Sequence, residues 1–140
     1  MGQKVTLDSV TVIYLFEQHP VYIESARRVF SDISRGRVTG MLSVIGLIEI
    51  LTGPKKIACF DLALEYRERL TSHPHFMIMS VSEAIVDAAS DFRARYNLHT
   101  PDAIHLATAY TEGALFVTND KALKRVKEVE VVMINDYKKL

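Results

Sequence analysis

Short apolar runs alternate along the chain with longer stretches in which apolar residues return every three or four positions. That is the pattern of strands interleaved with helices. Val5-Thr6-Leu7 reads as a short strand, followed by a helical stretch from about Ser9 to Gln18. From Pro20 onward, Val21, Ile23, Ala26, Val29, Phe30 and Ile33 keep a helical period until Ser34-Arg35-Gly36, where the glycine offers a C-terminal cap. Val38 to Val44 is predicted as a second strand, weakened by Gly40. The next helix carries Ile45, Ile48, Glu49 and Leu51, and Gly53-Pro54 is expected to cut it. A long helix is predicted from Lys55 to Leu70, then a strand at Phe76–Met79 whose unbroken apolar run suggests burial on both faces. Ser82 opens a helix to Tyr96 as its N-cap. Thr100-Pro101 opens another, with proline in the first turn, and Gly113 ends it. Ala114–Val117 is read as a strand, Lys121–Val126 as a short helix and Val129–Ile134 as the last strand. The alternation predicts a three-layer α/β/α sandwich with a mainly parallel central sheet.

In such sheets ligands bind outside the carboxyl ends of the strands. Four acidic residues are expected near that edge: Asp8 directly after the first strand, Glu49 in the helix after the second, Asp102 in the first turn of its helix, and Asp120 just past Thr118-Asn119. Taken singly, each has an ordinary explanation. Asp8 and Asp120 can cap the helices that follow them, and Asp102, next to Pro101, can complement a helix dipole. Glu49, between Ile48 and Ile50 on an apolar face, needs a partner, a cation or exposure, because an unpaired buried carboxylate is costly. Taken together, four carboxylates converging on one edge repel unless a hard divalent cation sits among them. Mg²⁺ or Mn²⁺ is the joint expectation.

Composition narrows the picture. The 140 residues contain no repeat, low-complexity tract or Pro/Gly-rich linker, so residues 1–140 are read as one domain. The formal net charge is zero, so any nucleic-acid surface has to be a local patch. The single cysteine, Cys59, excludes an internal disulfide framework, fits a reducing compartment and reads as a small core residue. No apolar run approaches the roughly 20 residues of a membrane span, and the N-terminus lacks a secretory stretch. The cytoplasm is the expected location. Met1-Gly2 begins a formal myristoylation pattern, but Val5 to Leu7 read as a buried strand that draws the N-terminus inward, so the match is taken as chance.

Other chemistries fit less well. A phospho-receiver domain wants paired acidic residues after its first strand, and an aspartate-nucleophile phosphatase wants a second Asp two positions on; here Asp8 is followed by Ser9-Val10. The glycine-rich loops of nucleotide-binding folds are absent.

Four blocks resemble those of PIN domains, most closely the VapC-like toxins of prokaryotic toxin–antitoxin pairs. They are Leu7-Asp8-Ser9-Val10, Ser43 through Glu49 to Gly53-Pro54, Thr100-Pro101-Asp102-Ala103-Ile104-His105-Leu106-Ala107-Thr108-Ala109, and Phe116-Val117-Thr118-Asn119-Asp120. They follow in the expected order over nearly the whole chain, and the third block and Thr-Asn-Asp are the most specific. The resemblance implies RNA cleavage by metal-activated water, with the family's acidic positions falling on Asp8, Glu49, Asp102 and Asp120. Asp8, Asp102 and Asp120 are the expected metal ligands, with Glu49 completing the cluster or orienting water. Ser9, Thr118 and Asn119 would flank the site. Val44-Ile45-Gly46-Leu47 is more apolar than in many members, which leaves the Glu49 block the least matched. The resemblance also implies an antitoxin partner and a homodimer. A housekeeping RNA-processing nuclease and an RNA- or protein-binding module with weak catalysis are the alternatives.

Further residues carry weaker signals. His105 lies three residues after Asp102 and reads as a packed, hydrogen-bonded histidine rather than a general acid. His73-Pro74-His75 lacks zinc-site spacing. Arg93, Arg95 and Tyr96 end a helix and could contact phosphate or stack a base. Lys121, Lys124 and Arg125 follow Asp120 and could hold RNA phosphate near the metal; a solvated charged face is the plain alternative. Val12, Tyr14, Leu15, Phe16, Val21 and Tyr22 exceed the apolar needs of one helix face, which suits either a dimer or core packing.

Overall fold

Five strands form one sheet in the computed structural model, which describes residues 3–138; the Met1-Gly2 pattern lies outside them. The strands are β1 (Gln3–Leu7), β2 (Val38–Ser43), β3 (Phe76–Met79), β4 (Leu115–Thr118) and β5 (Val131–Met133). Their order is β3-β2-β1-β4-β5, and every neighbouring pair is parallel. The connections hold six helices: α1 (Ser9–Phe16), α2 (Ile23–Ser34), α3 (Val44–Lys56), α4 (Phe60–Thr71), α5 (Glu83–Tyr96) and α6 (Thr100–Glu112). Two 3-10 turns, Lys121–Arg125 and Ile134–Asp136, complete the described residues.

The pleat of β4 shows how the layers are made. Leu115 and Val117 pack with Val12 of α1, Val29 and Ile33 of α2, Leu47 and Ile50 of α3, and Tyr66 and Leu70 of α4. Phe116, between them in sequence, packs instead with Ile85 and Phe92 of α5 and Leu106 of α6. Successive side chains of a strand point to opposite faces, so one sheet supplies two cores and the expected α/β/α sandwich results. Burial on both faces explains why the central strand β4 reads as a continuous apolar run.

The strand order fixes where a site can form. From β1 the chain moves outward through β2 to β3, then returns to place β4 on the other side of β1. Crossovers leaving β1 and β4 in opposite directions open a crevice at their carboxyl ends, the usual ligand position in such sheets.

Several local expectations change. The second helix starts at Ile23 rather than Pro20, because His19 Nδ1 accepts from the Val21 and Tyr22 amides at 3.1 and 3.3 Å and holds a turn there. Gly53-Pro54 does not cut α3, which runs on to Lys56 with Pro54 buried inside it. So near the helix end the missing proline N–H removes little of the hydrogen-bond ladder. The break comes later, where Ala58 adopts a left-handed φ of 57° and Cys59 N bonds to Pro54 O at 2.9 Å. Lys55 and Lys56 therefore close α3 instead of opening α4. Cys59 sits exposed at this corner and is not a core residue. Phe76–Met79 is an edge strand, with Met77 46% exposed, so its apolar run does not reflect burial on both faces.

Gly40 does not interrupt β2, and it is there for a packing reason. A Cβ there would lie 2.6 Å from Ile33 Cδ1 and 2.8 Å from Phe76 Cδ1, so α2 and β3 close over the bare backbone. Gly40→Ala is expected to destabilise the fold by about 1–3 kcal/mol through overpacking, read by chemical denaturation. An unchanged midpoint would mean that Ile33 and Phe76 have room to yield.

Candidate metal centre

Asp8 leaves β1 at the crevice and holds the N-cap position of α1, its amide bonded to Val117 O at 2.9 Å. Its side chain does not cap the helix. It accepts instead from Thr118 Oγ1 at 2.7 Å, with Ser9 Oγ at 3.5 Å from its other oxygen. Thr118 ends β4 fully buried, and its Oγ1 also accepts from the Asp120 amide at 3.1 Å. One hydroxyl thus links the ends of the two strands that flank the crevice. Asp120 does have a capping role, accepting from the Ala122 amide at 3.0 Å through Oδ1. Asn119 turns away from the carboxylates and donates to Tyr14 Oη at 2.9 Å, bracing this loop against α1.

Glu49 and His105 approach from two helices. Ile50 is buried, but Ile48 is 59% exposed and Glu49 is itself exposed, so Glu49 does not lie on an apolar face. Both of its other expected escapes from burial cost are present in part: its carboxylate is partly open, and Oε1 lies 2.9 Å from His105 Nε2. The hydrogen bond from His105 holds the Glu49 carboxyl below the usual range. Burial opposes this, while electrostatic attraction to the His105 ring and a Ser9 hydrogen bond add to it. His105 is buried, as the sequence suggests, but its partner in α3 is a long-range contact that spacing does not show.

The result is a cluster at the carboxyl edge. Asp8, Glu49 and His105 each present one ligand atom, all within 4.8 Å of one another. Asp102, in the first turn of α6, is raised above the usual range, first by burial and then by the charges of Asp8 and Asp120. Glu49 adds a smaller repulsion, and His105 offsets part of it. Asp102 and Asp120 also line one cleft of about 250 Å³ with Asn97, Leu98, His99, Ala122, Leu123 and Arg125. Carboxylates arranged this way can bind a hard cation, because their oxygens match its preference and their repulsion is relieved by it.

The basic residues divide. Arg95 pairs with Asp91 at 2.6 Å and with Glu128, and its guanidinium stands over the Phe92 and Tyr96 rings. Arg93 Nε donates to Leu98 O at 3.0 Å. Arg125 donates to the carbonyls of Ala122 and Tyr96. These three arginines brace the α5 end and the 121–125 turn. Lys121 and Lys124 are exposed on that turn, directly after Asp120. His73 bonds Ser34 Oγ at 3.1 Å and packs edge-on against Phe30 and Phe76, so it serves packing. Tyr14, Leu15, Phe16 and Tyr22 lie against the first core and Val12 is buried within it; Val21, 68% exposed, stands apart.

The fold has solved counterparts. VapBC2 from Rickettsia felis, bound to a promoter DNA fragment, superposes with a TM-score of 0.79 at 18% identity, covering 94% of this chain and 98% of that one. A toxin–antitoxin complex from Klebsiella pneumoniae gives 0.73 at 24% identity, covering 93% and 97%. VapC20 from Mycobacterium tuberculosis, a toxin that cleaves the sarcin-ricin loop, gives 0.70 at 16% identity, covering 91% and 98%. No curated protein matches the sequence. The PIN domain family matches residues 5–129, most of the chain's length, and the chain belongs to that family.

Proposed function

We propose that this protein is a metal-dependent endoribonuclease that hydrolyses RNA phosphodiester bonds, and that it is the toxin of a VapBC-type toxin–antitoxin pair. The observation that carries the reading is the convergence of Asp8, Glu49 and His105 within 4.8 Å at the switch point of the sheet, beside Asp102 and Asp120. An acidic cluster under mutual repulsion, open to solvent and next to exposed lysines, suits a cation and a phosphate chain better than a structural role.

The donor set fits Mg²⁺ or Mn²⁺. Asp8, Asp102 and Asp120 supply the oxygens that hold it, and Glu49 completes the set. Bound there, the ion supplies Lewis-acid activation of water and of a phosphoryl oxygen. Thr118 and Ser9 aim the Asp8 carboxylate by donating to it. Asp120 keeps its place because its backbone amide and one carboxylate oxygen are both anchored locally. Glu49, held below the usual carboxylate range, is ionised near neutrality and can take a proton from an attacking water. Lys121 and Lys124 draw the RNA backbone to the cleft. Arg93 and Arg95, both engaged within the protein, are weaker candidates for RNA contact.

The partner reading rests on surface as well as kinship. One of the similar solved structures is described as a toxin–antitoxin complex, and another as VapBC2 bound to a promoter DNA fragment. Here the α3–α4 hairpin exposes Ile48, Ile57, Phe60 and Leu64. A groove lined by Leu51, Lys55, Phe60, Ala63, Leu64 and Arg67 runs beside them. Apolar surface of this kind suits a protein partner, either an antitoxin or a second copy. Among the described residues no helix is long and apolar enough to cross a membrane. Cytoplasmic RNA is the proposed substrate.

The direct test incubates purified protein with structured and single-stranded RNAs and Mg²⁺ or Mn²⁺. Cleavage is expected, EDTA should abolish it, and Asp8→Asn should lower it by at least about 100-fold. Cleavage that survives EDTA or Asp8→Asn would remove the metal centre from the reaction.

Asp102→Asn should separate activity from stability. Because the folded pKa of Asp102 is raised, its contribution favours the fold fully below the ordinary aspartate pKa of about 3.9 and is lost as pH rises through the raised value. Metal-free Asp102→Asn is therefore expected to melt higher than the wild type near neutral pH, with the gap closing on acidification. A lower melting temperature at neutral pH would show that the Asp102 carboxylate is stabilising.

A further inference from the structure

Glu49 is the acid of the cluster that neither follows a strand nor opens a helix. Asp8 and Asp120 leave strand ends, and Asp102 sits in the first turn of a helix. Glu49 lies on α3 with three side-chain torsions and a side chain 40% exposed, so packing alone leaves its carboxylate loose. Its anchor is Nε2 of His105, 2.9 Å from Oε1.

The anchor itself is immobile. His105 lies one turn beyond Asp102 on α6 and is 1% exposed. The Phe116 ring is nearly parallel to its imidazole, 23° apart with centroids at 6.1 Å. On the other side comes Gly46 of α3, where an added Cβ would lie 3.1 Å from His105 Cε1 and 2.5 Å from Leu42 Cδ1. The apolar Val44-Ile45-Gly46-Leu47 run thus brings the α3 backbone close enough for Glu49 to reach the ring. His105 Nδ1 is buried and has no hydrogen-bond partner among the described residues. With no acceptor at Nδ1, the ring hydrogen belongs on Nε2, facing the carboxylate. Here one nitrogen is left stranded and the other meets an acid of the cluster.

We propose that His105 is a positioning residue, donating Nε2–H to Glu49 Oε1 and thereby fixing the Glu49 carboxylate beside Asp8 for cation binding. The other carboxylate oxygen is then turned to the cation or to water. The rival role, in which His105 is a metal ligand through Nε2, is exclusive of this one, because the same nitrogen cannot donate to Glu49 and offer a lone pair to a metal. The catalytic consequence rests on the nuclease reading; the placement of Glu49 for a cation is measurable without RNA.

The experiment uses the full chain and titrates Mn²⁺ by calorimetry into wild type, His105→Gln, His105→Phe, Glu49→Ala and the His105→Phe/Glu49→Ala double variant, with melting curves for each. Glutamine places an amide nitrogen near the position of imidazole Nε2, whereas phenylalanine keeps the ring and loses the donor. Should His105→Phe melt far below the wild type, His105→Asn replaces it, since its amide is too short to reach Glu49. His105→Phe is expected to weaken Mn²⁺ binding about tenfold and lower kcat by about ten- to 100-fold, with KM little changed. His105→Gln should recover both to within about threefold of wild type, and His105→Phe should add nothing in the Glu49→Ala background. Wild-type Mn²⁺ affinity in folded His105→Phe would overturn the proposal. So would a folded His105→Gln as defective as His105→Phe, which would make the imidazole itself a ligand, or an undiminished effect of His105→Phe without Glu49. A chain that binds Mn²⁺ but cuts no RNA defeats the nuclease reading alone, and the Mn²⁺ series still decides the role of His105. A wild-type chain that binds no Mn²⁺ defeats both.

Discussion

The bond from Thr118 to Asp8 spans the crevice on which the rest of the site depends. It joins the ends of β1 and β4, two strands more than a hundred residues apart in sequence, at the point where the sheet's connections diverge. The same hydroxyl accepts from the Asp120 amide, so one buried side chain sets the separation of two acids. Threonine suits this task because its hydroxyl both donates and accepts. The fit also depends on register. Leu7 pairs with Val117, and a slip of one residue would turn Thr118 to the opposite face.

Given that frame, the acids are held in two different ways. Asp8 and Glu49 each receive a hydrogen bond, from Thr118 and from His105, and the one from His105 favours the charged form of Glu49. Asp102 has burial and neighbouring negative charge acting against its ionised form. The α6 helix carries one residue of each kind: Asp102, held under burial and repulsion, and His105, one turn on, which donates to Glu49. Fixing α6 against the sheet through Ala103, Leu106 and Phe116 therefore fixes both at once.

Much of the sheet and of the acidic edge is legible in the sequence because both rest on local signals. Apolar runs mark the strands, Ser82 and Gly113 mark helix ends, and acids that follow strands fall at the carboxyl edge by topology. The parts that do not show depend on partners distant in the chain. The proline signal at Pro54 is real, but its cost depends on distance from the helix end, and α3 stops two residues later. The Phe76–Met79 run looks like a central strand because periodicity records burial and not the order of strands. Arg95 looks free until Glu128 is brought to it from beyond α6. Cys59 is misplaced for a local reason: it follows a left-handed turn at Ala58, a conformation that an alanine does not announce.

His105 shows the same limit most sharply, and with the largest consequence. Its sequence position, inside an apolar helix, correctly implies burial, but burial alone does not separate packing from function. The separation comes from the two ring nitrogens. Nε2 meets Glu49, an acid of the cluster, while Nδ1 has no partner among the described residues. Phe116 and Gly46 keep the ring in that unfavourable place. The local loss is tolerated because the surrounding core is already closed by the sheet and α6, so the histidine need not add to stability to be retained. The geometry puts His105 on the side of the chemistry.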